Sequence, residues 1–304
     1  MLEFLRSEGI DENLIKGIEK FRKEYPLDSE DEVRLVKPRY HFYGKEVWNQ
    51  ALSALLCGEN ILLVGSKATG KNVLAENLAA TFSRPNWNVS FHINMDASFM
   101  LGADTFSEGK VVFRPGPIYQ CAVRGGFGIL DEINMARNEA LAVLHSLLDY
   151  RRIMDIPGYD IIKLNPATRF IATMNYGYAG TKELNEALTS RFAVIKLPFI
   201  STDNLKKLLK AEFPAMRPEA VEQFSGIFLD LQKKCEAAEI SSKAVDLRGL
   251  LDSIRLMHMG LDPHLAMEMG ITNKSFDEYE PALINDVIGL HIPKEFSRKD
   301  IFTD

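Results

Sequence analysis

The chain reads as an α/β protein, a parallel sheet covered by helices, followed by a smaller all-α region. Three observations predict this. Ile61-Leu62-Leu63-Val64 is a wholly apolar run that ends at Gly65; beyond Gly70, Val73, Leu74, Leu78, Ala79 and Phe82 recur near helical spacing. Apolar strands then alternate with helical patterns from about residue 60 to 198, as a parallel sheet requires. From Ser201 the pattern is helical only, which places a boundary near residue 200, after Pro198. The expected organisation is a helical N-terminal extension (1–38), an α/β domain (39–200) and an α-helical domain (201–304).

The extension has Asp11 as a helix cap, with Leu14, Ile15, Ile18, Phe21 and Tyr25 on one face. Pro26 and the acidic run 28–32 end that pattern, and packing on the core is the favoured role over contact with a partner. Tyr40-His41-Phe42-Tyr43-Gly44 comes next, either core or the lining of a base pocket, which would make Tyr43 and Gly44 ligand contacts. A helix over about 45–57 carries Val47, Ala51, Leu52, Leu55 and Leu56. A second strand is expected at 88–94, and residues 98–118, punctuated by Gly102, Gly109 and Arg114-Pro115-Gly116-Pro117, read as an inserted hairpin.

Phe127-Gly128-Ile129-Leu130-Asp131-Glu132 is the third strand, and a helix over about 138–150 follows, with Ala142, Val143, Leu147 and Leu148. A second hairpin is expected over 151–162, turning at Pro157-Gly158. Arg169-Phe170-Ile171-Ala172-Thr173-Met174 is a buried strand ending at Asn175; a helix over 184–192 and a last strand over 193–198 complete the domain. Beyond it, Leu205, Leu208 and Leu209 mark one helix, Val221, Phe224, Ile227, Phe228 and Leu231 a second, and Val245, Leu247, Leu250, Leu251 and Ile254 a third. Met257, Met259, Met267 and Met269 beside His258 and His264 read as helical core rather than a soft-metal site.

The chemistry concentrates in three places. Gly65-Ser66-Lys67-Ala68-Thr69-Gly70-Lys71-Asn72 is a loop between strand and helix whose glycines let backbone N–H groups turn toward an anion. Lys71 can reach phosphate oxygens as a point charge. The loop follows G-x-x-x-x-G-K-[ST] except at Asn72, where a hydroxyl that binds Mg²⁺ is usual. At the end of the third strand, Asp131 can hold Mg²⁺ through its waters, and Glu132 can orient and polarise an attacking water. Asn175, at the carboxyl end of a neighbouring strand, is well placed for a γ-phosphate or that water.

Composition bounds the rest. With 46% hydrophobic and 26% charged residues among 304, the chain matches soluble globular proteins. A net charge of −6 gives no general reason to expect nucleic acid. Cys57, Cys121 and Cys235 lack C-x-x-C spacing and read as small buried thiols. Neither a signal peptide nor a run of about 18 apolar residues is seen, so the expectation is a cytoplasmic protein without a membrane span.

Taken together, these motifs resemble the AAA+ ATPases, and more narrowly the MoxR-like branch with its CbbQ, NorQ and GvpN relatives. Residues 65–72 resemble the Walker A loop, and Ile129-Leu130-Asp131-Glu132 the Walker B strand. Asp131-Glu132-Ile133-Asn134 matches the D-E-I-N of the branch, and Phe113-Arg114-Pro115-Gly116-Pro117-Ile118 resembles its F-x-x-G-P-I after the helix-2 insertion. The hairpin near 153–162 corresponds to a pre-sensor-1 insertion, and Ala172-Thr173-Met174-Asn175 resembles the sensor 1 strand. Leu188-Thr189-Ser190-Arg191-Phe192 is similar to the L-x-x-R-F ending that supplies an arginine finger, and Leu247-Arg248-Gly249 sits where the helical lid supplies sensor 2.

The resemblance, over about residues 40–260, implies a P-loop NTPase sheet with both insertions and an all-α lid. It further implies ATP and Mg²⁺ as ligands, with Asn72 and Asp131 at the metal. It implies a hexameric ring in which Arg191 reaches a neighbour's nucleotide and Arg248 contacts the γ-phosphate in cis. Relatives of this branch often act with a von Willebrand factor A-domain protein as chaperones that remodel, activate or assemble a client. Asn72 keeps a second reading open, a nucleotide-gated scaffold that barely hydrolyses. A nucleic-acid motor is disfavoured, because residues 98–114 carry only Lys110 and Arg114 against Asp104 and Glu108.

Overall fold

The structure, a computed structural model, describes residues 1–156, 158–176 and 183–304. It divides into two compact units, one of Met1–Ser66 and Gly70–Pro198, the other of Lys67–Thr69 and Phe199–Asp304. In chain order the first unit opens with helices α1 (Leu2–Ser7), α2 (Glu12–Glu24) and α3 (Lys45–Leu56), then strand β1 (Ile61–Gly65), α4 (Lys71–Phe82) and β2 (Asn86–Ser90). Next come α5 (Ala97–Leu101), β3 (Gly102–Ser107), β4 (Lys110–Pro115), α6 (Pro117–Arg124) and β5 (Phe127–Asp131). Short helices α7 (Asn138–Leu141) and α8 (His145–Leu148), strands β6 (Ile153–Met154), β7 (Ile162–Lys163) and β8 (Arg169–Asn175), α9 (Glu186–Thr189) and β9 (Ala193–Lys196) complete it.

Five strands form an all-parallel sheet in the order β2-β5-β8-β1-β9. The strands are apolar on both sides because both faces of the sheet are covered. Leu62, Val64, Leu130, Phe170 and Ala172 belong to one apolar cluster with Ile118, Cys121 and Leu147. Their alternating neighbours Ile61, Leu63, Ile129 and Ile171 belong to a second cluster with Leu52, Leu74, Leu78 and Phe82.

The N-terminal extension packs into that second cluster, as favoured from the sequence. Asp11 caps α2 by accepting from Asn13 N–H, and Ile15, Ile18 and Phe21 turn inward. The Phe21 and Phe82 rings meet edge to face, 5.0 Å between centroids. Arg22 donates to Thr81 O at 2.6 and 2.9 Å, and buried Arg84 donates to Tyr25 O and Pro26 O at 2.9 and 3.0 Å.

Both expected hairpins form. β3 and β4 pair antiparallel from Gly102↔Pro115 to Ser107↔Lys110, and the two residues between, Glu108 (φ 50°) and Gly109 (φ 79°), both take the left-handed conformation that a tight hairpin turn needs. β6 pairs antiparallel with β7; of its expected turn, Pro157 lies outside the described residues. Other boundaries move. β2 occupies Asn86–Ser90, not 88–94, and its last ladder bond is Phe91 N–H to Asp131 O at 2.8 Å. The helix expected over 138–150 is broken into α7, a 3-10 turn at Ala142–Leu144, and α8. That expected over 184–192 shrinks to α9, capped by Asn185.

The second unit carries α10 (Thr202–Glu212), α11 (Pro218–Glu236), α12 (Leu247–His258), α13 (Pro263–Gly270), α14 (Glu280–His291) and α15 (Arg298–Ile301). α12 and α13 approach so closely that a Cβ on Gly249 would sit 2.1 Å from Gly270 O. Met257 and Met267 are core as expected, but Met259 and Met269 are exposed. His258 pairs with Asp304 at 3.0 Å, His264 faces Pro293 O at 3.1 Å, and no metal-competent cluster of His, Cys, Asp and Glu exists among the described residues. Of the three thiols only Cys121 is buried; Cys57 caps the end of α3 in the open and Cys235 sits near the end of α11. No helix among the described residues is long and apolar enough to cross a membrane.

Candidate nucleotide site

The site grows from sheet register. β8 lies between β5 and β1, pairing Leu130 with Ala172 and Gly65 with Asn175. The carboxyl ends of three adjacent strands therefore line up, and in a parallel sheet that end is where ligands bind. From β1 the chain passes through the loop 65–72 into α4. Ala68 (φ 64°) and Gly70 (φ 83°) take left-handed backbone there, and the Phe42 ring lies 3.3 Å from where a Gly70 Cβ would be. Lys67 and Asn72 are exposed, whereas Thr69 and Lys71 are buried.

Lys71 Nζ donates to Gly65 O at 2.9 Å and Ser66 O at 2.7 Å, so the loop's own carbonyls hold its ammonium. Burial lowers its pKa to about 8, against the upward pull of Asp131 and Glu132.

Asp131 ends β5, and Glu132 leaves the strand in left-handed backbone, φ 53° and ψ 45°. Asn175 Nδ2 donates to Glu132 Oε1 at 2.7 Å. Two groups here escaped the sequence reading. Thr173 Oγ1 donates to Asp131 Oδ1 at 2.6 Å and accepts from Glu132 N–H at 3.0 Å; Asn134 Nδ2 donates to Asn175 O at 3.3 Å. The available signal for Thr173 was a hydroxyl inside an otherwise apolar strand run, which must find a partner when buried.

The remaining candidates make other contacts. Arg191 is half-buried: Nε donates to His145 O at 3.0 Å, Nη1 donates to Ala187 O, and Nη2 lies 3.8 Å from Asp149 Oδ2. Asp149 in turn is held low in pKa chiefly by hydrogen bonds from Arg151. Tyr43 packs edge to face with Phe4 at 5.5 Å, while Phe4 stacks on His41 at 4.2 Å. Gly44 (φ 153°) starts α3. Arg248 is exposed at the second position of α12, where Asp246 accepts from its N–H at 3.1 Å.

A parallel sheet with a glycine-bounded loop, a buried lysine and a strand-end acid pair defines an α/β P-loop nucleotide-binding domain. Residues 60–192 match the AAA domain profile, dynein-related subfamily. The chain is 32% identical over 270 residues to the uncharacterized protein YojN of Bacillus subtilis (strain 168), covering 87% of this chain and 88% of that one. It is 33% identical over 263 residues to an uncharacterized protein of Staphylococcus haemolyticus (strain JCSC1435), covering 84% of this chain and 100% of the other. A solved structure from Cytophaga hutchinsonii, provisionally assigned as an ATPase, matches with a TM-score of 0.46 at 15% identity, over 95% of this chain and 89% of that one. The chain belongs to the family of these uncharacterized Bacillus and Staphylococcus proteins, and its residues 60–192 carry the match to the AAA domain.

Proposed function

We propose that the chain hydrolyses ATP, belongs to the MoxR-like branch, and works as a ring that remodels or activates a partner protein. The observation that carries this reading is the convergence of Asp131, Glu132 and Asn175 at adjoining strand ends, next to the strand that feeds the loop to Lys71, with Asn175 bonded to the Glu132 carboxylate at 2.7 Å. The donor set suits Mg²⁺: Asp131 offers a hard carboxylate oxygen and Asn72 an amide oxygen, and this ion takes its other positions from water and phosphates. When bound, it supplies charge neutralisation on the β- and γ-phosphate oxygens.

The chain's own groups do the rest. Backbone N–H groups of residues 65–72 receive the phosphates at the start of α4, where the helix dipole favours an anion. Lys71 leaves the carbonyls of Gly65 and Ser66 to meet phosphate oxygens. Glu132 aligns the attacking water and takes up its proton, and Asn175 keeps that carboxylate aimed. Arg191, from a neighbouring copy in a homo-hexamer, neutralises charge on the transferring group, and Arg248 is assigned as sensor 2 by resemblance to the branch alone. Tyr43 and Gly44 line the base. A von Willebrand factor A-domain protein fits as partner by resemblance to the branch alone.

The test is the steady-state ATPase rate with Mg²⁺ for wild type, Glu132→Gln and Arg191→Ala, with oligomer mass measured alongside. Turnover abolished by both substitutions supports a ring motor with a trans finger. Absent turnover in wild type, despite nucleotide binding and assembly, sinks it in favour of a nucleotide-gated scaffold. Asn72 favours that second reading, since an amide is larger than a hydroxyl and Mg²⁺ demands tight octahedral geometry.

A further inference from the structure

We propose that Thr173 is a positioning residue that aims both acids of the site through one hydroxyl; this rests on the reading of the site as one that hydrolyses ATP. Thr173 is 1% exposed and lies in β8 directly after the apolar run Phe170-Ile171-Ala172. Packing alone would be served as well by valine, which has the same shape and suits a buried strand. The hydroxyl carries a desolvation cost unless it is paired. Here it is paired twice, donating to Asp131 Oδ1 at 2.6 Å and accepting from Glu132 N–H at 3.0 Å.

The two bonds answer two needs. Glu132 adopts left-handed backbone, which a non-glycine residue takes only when its surroundings enforce it. Thr173 Oγ1 supplies an acceptor for the Glu132 N–H at that turn. The turn directs the Glu132 side chain to Asn175. The second bond engages Oδ1 of Asp131 and so orients the carboxylate, with Oδ2 as the oxygen to present to a cation or its water. A hydroxyl can donate and accept at one atom; valine and alanine offer neither bond. Thr173 touches no reacting atom and acts through Asp131 and Glu132.

The test compares Thr173→Val and Thr173→Ser in two measurements: ATPase kinetics, and Mn²⁺ binding to the protein with a non-hydrolysable ATP analogue, read by electron paramagnetic resonance. The expected result for Thr173→Val is a kcat lowered about 10–100-fold with little change in KM, and Mn²⁺ binding weakened by a similar factor. Thr173→Ser, which keeps the hydroxyl, stays within about threefold of wild type in both, the pattern that orientation of metal ligands predicts. Wild-type behaviour of Thr173→Val in both measurements overturns the inference. So does a loss in Thr173→Ser that Thr173→Val does not share, which marks a packing role. If the valine variant does not fold, Thr173→Ala against Thr173→Ser gives the same comparison. Wild type without turnover, and unchanged by Glu132→Gln, defeats the hydrolysis reading alone, because the Mn²⁺ measurement still judges the hydroxyl.

Discussion

Asn175 and Glu132 meet across the ends of two adjacent strands, the Asn175 amide donating to Glu132 Oε1 at 2.7 Å. Glu132 is exposed, so its reach is limited by this contact and by the turn beneath it rather than by packing. Asn175→Ala removes the contact and leaves the fold intact. The expected outcome is a kcat lowered by about 100-fold, the scale on which a misplaced reacting group is felt, with KM for ATP little changed. Steady-state kinetics check it, and an unchanged kcat rejects the role assigned to Asn175.

Lys71 is expected to make nucleotide binding depend on pH. Burial holds its ammonium at about 8, below the ordinary lysine value of 10.5. Above that pH the nucleotide-free protein carries a neutral amine, and ATP must bind together with a proton. Affinity for ATP is therefore expected to fall as pH rises through about 8. In Lys71→Arg, whose guanidinium stays charged, the residual affinity shows no such decline. Calorimetric titrations between pH 7 and 9 decide it.

The same burial has a stability consequence of definite sign. Between about 8 and 10.5 the unfolded chain binds more protons at Lys71 than the folded one. Stability from this group therefore rises with pH across that window, and the cost of burying the ammonium is fully present below it. Lys71→Met is expected to be more stable than wild type at pH 7, by a margin that shrinks toward pH 10. Urea melts at both pH values measure the margin; a constant margin contradicts the expectation.

Asn72→Thr restores the hydroxyl usual at that position. The expected effect is a lower Mg²⁺ concentration for half-maximal ATPase, by roughly tenfold, as for other changes at a metal's immediate surroundings. A variant that turns over ATP where wild type does not would favour the scaffold reading. An unchanged Mg²⁺ requirement would mean that Asn72 serves the ion as well as threonine does.

The N-terminal extension contributes to the core, and the contribution is measurable. Ile18→Ala is expected to cost about 2–5 kcal/mol and Phe21→Ala about 3–5 kcal/mol, the range for emptying a packed site. Lys20→Ala, on the exposed side of the same helix, should stay within about 0.5 kcal/mol. Chemical denaturation gives all three values. Equal, small effects would mean that the extension is not part of the cooperative unit.

By itself the sequence determined the α/β class, the loop at 65–72, the acids at 131 and 132, and Asn175 at a strand end. These are local facts: an unbroken apolar run means a strand buried on both faces, and two glycines with four residues between them mean a tight loop. The helix expected over 138–150 misled because Ala142, Val143, Leu147 and Leu148 fit the helical period while the chain turns as 3-10 between them. Tertiary structure alone decided the strand order β2-β5-β8-β1-β9, the packing of α2 beneath Phe82, and the hydroxyl of Thr173 between Asp131 and Glu132. Thr173 lies 42 residues from Asp131 along the chain, and no period within one segment encodes a contact made between strands. Arg191 shows the same division: its motif was legible, but its contacts with His145 O and Asp149 arise only where separate segments pack together.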